Sequence, residues 1–75
     1  MPHTVQIDVT KLECPRALLE VKMAMKALEP GQTAIVSLAD EQSCDDVLRF
    51  VRLSGHQLIE TKLQNKVYTV HIGIV

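Results

Sequence analysis

Residues Thr4–Val9 alternate strictly, with Val5, Ile7 and Val9 on one face and Thr4, Gln6 and Asp8 on the other. That period of two predicts a half-buried strand. From Pro15 to about Leu28 the period lengthens: Ala17, Leu18, Val21, Ala24, Met25 and Leu28 form one stripe at helical spacing, and Pro15 suits the first helical position. Pro30 and Gly31 end that helix. TAIVSLA then places Ala34, Val36 and Leu38 on one side of a second strand.

DEQSCDD carries the chemistry of a helix start, with Ser43 as the expected cap and Asp45 and Asp46 in the expected first turn. Val47, Phe50, Val51 and Ser54 share the following helical face, and Gly55 marks its end. QLIETKL and VYTVHIGIV are two further strands joined by a hairpin at QNK.

The element order is β-α-β-α-β-β. A right-handed crossover makes the first two strands parallel, and the last pair is antiparallel. The expected fold is a two-layer α/β sandwich of the α+β kind, with two helices on one face of a mixed four-stranded sheet. Both helices follow strands of the same direction, so both N-termini emerge at one edge. Cys14 and Cys44 are expected at that same end.

Seventy-five residues leave room for one domain, spanning 1–75. The composition, 47% hydrophobic and 23% charged, fits a folded globule. A net charge of −1, with no Trp, one Tyr and one Phe, gives no reason to expect direct nucleic-acid binding. No stretch approaches the ~18 apolar residues of a spanning helix, so no membrane partner is expected. The N-terminus does not read as an export signal, which makes a cytoplasmic location the expectation. His3, His56 and His71 lack ligand spacing with each other or with a cysteine, and no metal site is expected.

The chemistry concentrates at LECPRALLEVK. Cys14 directly precedes Pro15 at the mouth of a helix, where unpaired N–H groups favour a thiolate. Pro15 stiffens the turn. Lys11 and Arg16 add positive charge, and Glu13 opposes them. Each exposed effect is worth ~0.3–1 kcal/mol, so a modest lowering of the thiol pKa is expected. A small buried core cysteine is the competing reading. Leu19 and Met23 fall off the apolar stripe beside Lys22 and Lys26, giving either a partner-docking patch or a wide core face with solvated lysines.

IDVTKLECPRALLEVKMAMKALEPGQ resembles the start of the TusA-like (SirA-like) family of sulfur carriers. Asp8, Cys14-Pro15 and Pro30-Gly31 match its layout, and LADEQSCDDVLRFVRLSGHQLIE resembles its acidic turn and second helix. The resemblance implies that Cys14 bears a persulfide, received from a donor such as a cysteine desulfurase or rhodanese and relayed to an acceptor protein, with no bound cofactor. It implies routes such as tRNA thiolation. The family motif Cys-Pro-x-Pro reads Cys14-Pro15-Arg16-Ala17 here, and a common glycine is replaced by Lys11.

A binding or regulatory module of the same fold is the alternative, and a Cys14–Cys44 redox protein a third. Neighbouring helices lie ~8–10 Å apart, whereas a disulfide needs Cα atoms within ~7 Å, so no resting bridge is expected. Cys44 reads as a semi-buried helix-start residue or as a resolving thiol. Arg49 and Arg52 read as a solvated face, and His71 as pointing to the outer sheet face. That face also carries Ile35, Leu58 and Val67, and the expected state is a monomer or weak homodimer.

Overall fold

The computed structural model describes residues 4–13 and 15–75. In order, the elements are β1 (Thr4–Asp8), α1 (Arg16–Lys26), β2 (Thr33–Leu38), α2 (Glu41–Ser54), β3 (Gln57–Gln64) and β4 (Val67–Gly73). The sheet order is β1-β2-β4-β3, with β1 parallel to β2 and both other pairings antiparallel. This is the expected mixed sheet with the expected element order.

Period-two burial sets the two faces of the sheet. Ala34, Val36 and Leu38 of β2 are fully buried, as are Val70 and Ile72 of β4. They join Ala17, Val21 and Met25 of α1 and Cys44, Val47 and Val51 of α2 in a single apolar cluster. Both helices therefore cover one face. Thr33, Ile35 and Ser37 alternate onto the other face. His71 is the register partner of Ile35 and lies with it on that outer face.

Element boundaries follow local chemistry. Pro15 sits one place before α1 rather than at its first position, with its carbonyl accepting the Leu19 N–H at 3.1 Å. A proline loses nothing there, because its missing N–H would have no helical acceptor. The helix ends at Lys26, short of Leu28. α2 ends at Gly55, whose φ of +78° is left-handed and favours glycine. Gly55 N–H donates to Arg52 O at 3.3 Å and His56 N–H to Val51 O at 3.2 Å, satisfying two terminal carbonyls. The hairpin is tighter than expected: Gln64 pairs with Val67, so only Asn65 and Lys66, both with positive φ, make the turn.

Two expectations are corrected. Ser43 does not cap α2. Asp40 is the cap residue, Glu41 begins the helix, and Asp45 and Asp46 fall in its second turn. The apolar stripe first becomes legible at Val47, but two small residues extend it backward by a turn. Ser43 and Cys44 are buried one turn before Val47 and share its face.

Leu58 does not belong to the outer face. A bulge between Leu58 and Glu60 reverses the alternation, leaving Leu58 opposite the buried Ile72. Leu58 instead lines a hollow with Leu48, Val51, Arg52 and His56 on the helix side. Ile59 is the inserted residue, and its side chain approaches Gly73.

Candidate functional site

The parallel β1–β2 pair directs both following loops toward one end of the molecule. Thr10, Lys11, Leu12 and Glu13 from the first loop and Ala39 and Asp40 from the second line a common polar cleft of about 550 Å³. Cys14 lies outside the described residues. Its expected proximity to Cys44 lies outside them too.

The loop leading to α1 is anchored on both sides. Asp8 closes a turn by accepting the Thr10 N–H at 2.9 Å and the Thr10 hydroxyl at 2.7 Å. These bonds, side chain first and then backbone, hold its carboxyl below the usual range, with Lys11 adding a smaller electrostatic pull against slight desolvation. Leu12 N–H then donates to Val9 O at 3.0 Å, and Val9 N–H to Ser37 O at 3.0 Å. Beyond the motif, Ala17 N–H donates to Glu13 O at 2.9 Å. A proline at position 17 has no N–H and could not make that bond. In this chain the first turn of α1 is therefore secured by a hydrogen bond that the Cys-Pro-x-Pro pattern lacks.

The residues singled out from the sequence divide into three groups. Pro15, Arg16, Leu19 and Lys22 come together with Leu18 around a shallow, mainly apolar groove of about 280 Å³. Lys11 and Glu13 face the separate polar cleft. Met23 and Lys26 are exposed but line neither. Leu19 and Met23 are 59% and 60% exposed, which excludes the reading of a wide core face for this part of α1.

The groove continues across to α2, where Leu18 and Lys22 meet Asp46, Arg49, Phe50 and Leu53. Lys22 Nζ stands 5.5 Å from the centre of the Phe50 ring, a cation–π contact that holds the ammonium between the helices. Phe50 also meets His56 edge-on, with ring centroids 6.5 Å apart. Phe50 and Leu53 were missed as groove residues because Phe50 reads from the sequence as core. The signal for Leu53 was an apolar residue off the α2 stripe; it is 80% exposed. Arg49 and Arg52 are exposed, as expected for a solvated face.

Cys44 has the opposite surroundings. It is only 6% exposed, belongs to the core cluster and is a free thiol. Burial pushes its pKa up, and Asp45, Glu41 and Asp40 push in the same direction. A neutral thiol in the core is a poor attacking group, so Cys44 fits packing rather than resolving chemistry. The adjacent Ser43 is 1% exposed, and its hydroxyl has no hydrogen-bond partner among the described residues.

Among the described residues there is no cluster of His, Cys, Asp or Glu able to hold a metal ion. Nor is any helix among them long and apolar enough to cross a membrane.

The chain is a two-layer sandwich that brings two helix-leading loops together beside an apolar groove. A solved SirA-like protein from Desulfitobacterium hafniense has this fold, superposing with a TM-score of 0.80 at 24% identity over 92% of this chain and 95% of that one. The family profile described as Sulfurtransferase TusA matches residues 5–74, and the chain belongs to that family. It is 30% identical over 66 residues to a candidate sulfur carrier protein of Archaeoglobus fulgidus, covering 88% of this chain and 90% of the relative. It is 32% identical over 57 residues to the sulfur carrier protein TusA of Allochromatium vinosum, covering 76% and 75%.

Proposed function

We propose that this chain is a sulfur carrier in which Cys14 bears the sulfur as a persulfide. The observation that carries the reading is the family match over residues 5–74, which includes the Cys14-Pro15 pair leading into α1. The Cys14 thiolate attacks the terminal sulfur of a donor persulfide. A new S–S bond forms, and the donor's thiolate leaves. An acceptor thiolate then attacks the terminal sulfur on Cys14, and Cys14 leaves as a thiolate. Each step exchanges one S–S bond for another with no net oxidation, so the relay requires no bound cofactor. A cysteine desulfurase or rhodanese is the class of donor, and an acceptor protein with its own thiol completes the relay.

Pro15 shapes the turn that presents the sulfur. Lys11 and Arg16 favour its anion and Glu13 opposes it. The exposed Leu19 and Met23, with Lys22 and Lys26, form the docking surface, which adjoins a groove starting at Pro15, the residue that follows Cys14 in the sequence.

Mass spectrometry after incubation with a persulfide donor tests the proposal. The expected result is an adduct of about 32 Da on the wild type that is absent from Cys14→Ser. An adduct that survives Cys14→Ser overturns the assignment, and no adduct with any donor class leaves the non-carrier binding module as the function.

A further inference from the structure

Strand β3 carries a surface that the sulfur chemistry does not use. It is an edge strand of eight residues, all exposed, bonded on one side to β4. The opposite edge, β1, has five residues. Leu58, Ile59 and Leu63 are large apolar side chains left exposed on this one strand. Long free edges invite pairing with another chain, and proteins usually guard them with a lysine or a bulge. Here the bulge lies toward the start of the strand, leaving Glu60–Gln64 regular. The lysine is not an isolated charge: Lys62 Nζ lies 3.3 Å from Glu60 Oε1 on the same face.

We propose that β3 pairs antiparallel with β3 of a second copy, with Thr61 on the two-fold axis, making one continuous eight-stranded sheet. Charge selects the register. Residues directly opposite in an antiparallel pair share a face, and a two-fold axis that centres the pairing on the charged triplet can pass Glu60, Thr61 or Lys62. An axis at Glu60 sets two carboxylates against each other, and one at Lys62 sets two ammonium groups together. Only the axis at Thr61 sets each Glu60 opposite Lys62 of the second copy, twice over. The sequence Glu60-Thr61-Lys62 is therefore self-complementary in one register and repulsive in its neighbours.

In that register the charged pairs lie on the outer face with His71 and Thr69, while Leu63 stays on the helix side opposite Tyr68 and Ile59 reaches the outer face beside Gly73. α2 is the helix packed over β3 and β4, with α1 over β2, so the groove that begins at Pro15 stays away from the new seam. One strand pair is small beside the ~1,200–2,000 Å² of a stable interface, and a dissociation constant of about 0.1–1 mM is expected.

Analytical ultracentrifugation over a concentration series to about 1 mM tests this on the wild type, Lys62→Glu, Glu60→Lys and the double exchange Glu60→Lys/Lys62→Glu. Circular dichroism checks that each variant is folded. The wild type is expected to shift toward dimer mass with concentration. Each single reversal places like charges opposite and weakens association about tenfold or more, while the double exchange restores it. A wild type that stays monomeric throughout overturns the proposal. So does association that ignores the single reversals, or a folded double exchange that fails to recover.

Discussion

The starts of α1 and α2 lie at the same end of the sheet, and each has a cysteine close by in the sequence, yet the residues described at the two starts differ in exposure and charge. The approach to α1 exposes Lys11, Glu13 and Pro15, and the first turn of α1 contains Arg16 and no acid. α2 opens with Asp40 and Glu41, adds Asp45, and folds Cys44 into the core. The partial positive charge of a helix terminus is worth ~0.3–1 kcal/mol at an exposed site. At Cys44 burial outweighs it, and three acids add to the effect. A cysteine at a helix start is thus not a nucleophile by position alone. Burial and local charge decide, and in this chain both count against Cys44.

The largest effect that could break this comparison is loss of function. Cys14→Ser is expected to abolish sulfur loading, whereas Cys44→Ala keeps it, as read by the mass of the loaded protein. Loading lost in Cys44→Ala while the fold persists would make the second helix start part of the chemistry.

Next in size is stability. Cys44→Ser places a second hydroxyl in a core region where Ser43 Oγ already has no partner among the described residues. The expected cost is about 1–3 kcal/mol by urea denaturation.

Ala17→Pro, which supplies the second proline of the family pattern, removes the Ala17–Glu13 hydrogen bond and adds ring atoms at a fully buried position. It should lower stability by about 1 kcal/mol. A stabilised variant would show that the hydrogen bond is no substitute for the proline.

The pH dependence sharpens the contrast further. The folded Cys44 thiol has a raised pKa, so the unfolded chain loses this proton first. Its contribution is full below the unfolded value of about 8.5 and declines as pH rises toward the folded value. Melting curves should show that alkaline loss in the wild type and a smaller one in Cys44→Ala.

The smallest effect belongs to Asp8, whose carboxyl is held low by Thr10. Its contribution is present above the unfolded carboxylate value and is lost as pH falls through the folded one. Asp8→Asn should slightly flatten the acid limb of the stability profile. An unchanged acid limb would remove Asp8 from the anchoring of the first loop.

Much of this molecule was legible before folding. Val5, Ile7 and Val9 signalled a strand, the stripe from Ala17 to Met25 a helix, and Ala34, Val36 and Leu38 the buried side of a second strand. Alternation and helical spacing are short-range properties, so the chain itself records them. The Cys14-Pro15 pair and its family resemblance were legible for the same reason. The early start of α2 was not, because small residues such as Ser43 and Cys44 carry little apolar signal even when they are buried. Leu58 was misplaced because a one-residue bulge reverses a face without changing composition.

The sequence by itself determined the order of elements, the side of most residues and the motif that opens α1. Tertiary structure decided that β4 lies between β2 and β3, that Lys22 rests against Phe50, and that the acidic loop at Asp40 faces Lys11 across a cleft. The physical reason is range. Periodicity follows from geometry repeated every few residues, whereas contacts between distant segments depend on how whole layers pack, and only that packing turned one helix-start cysteine into core.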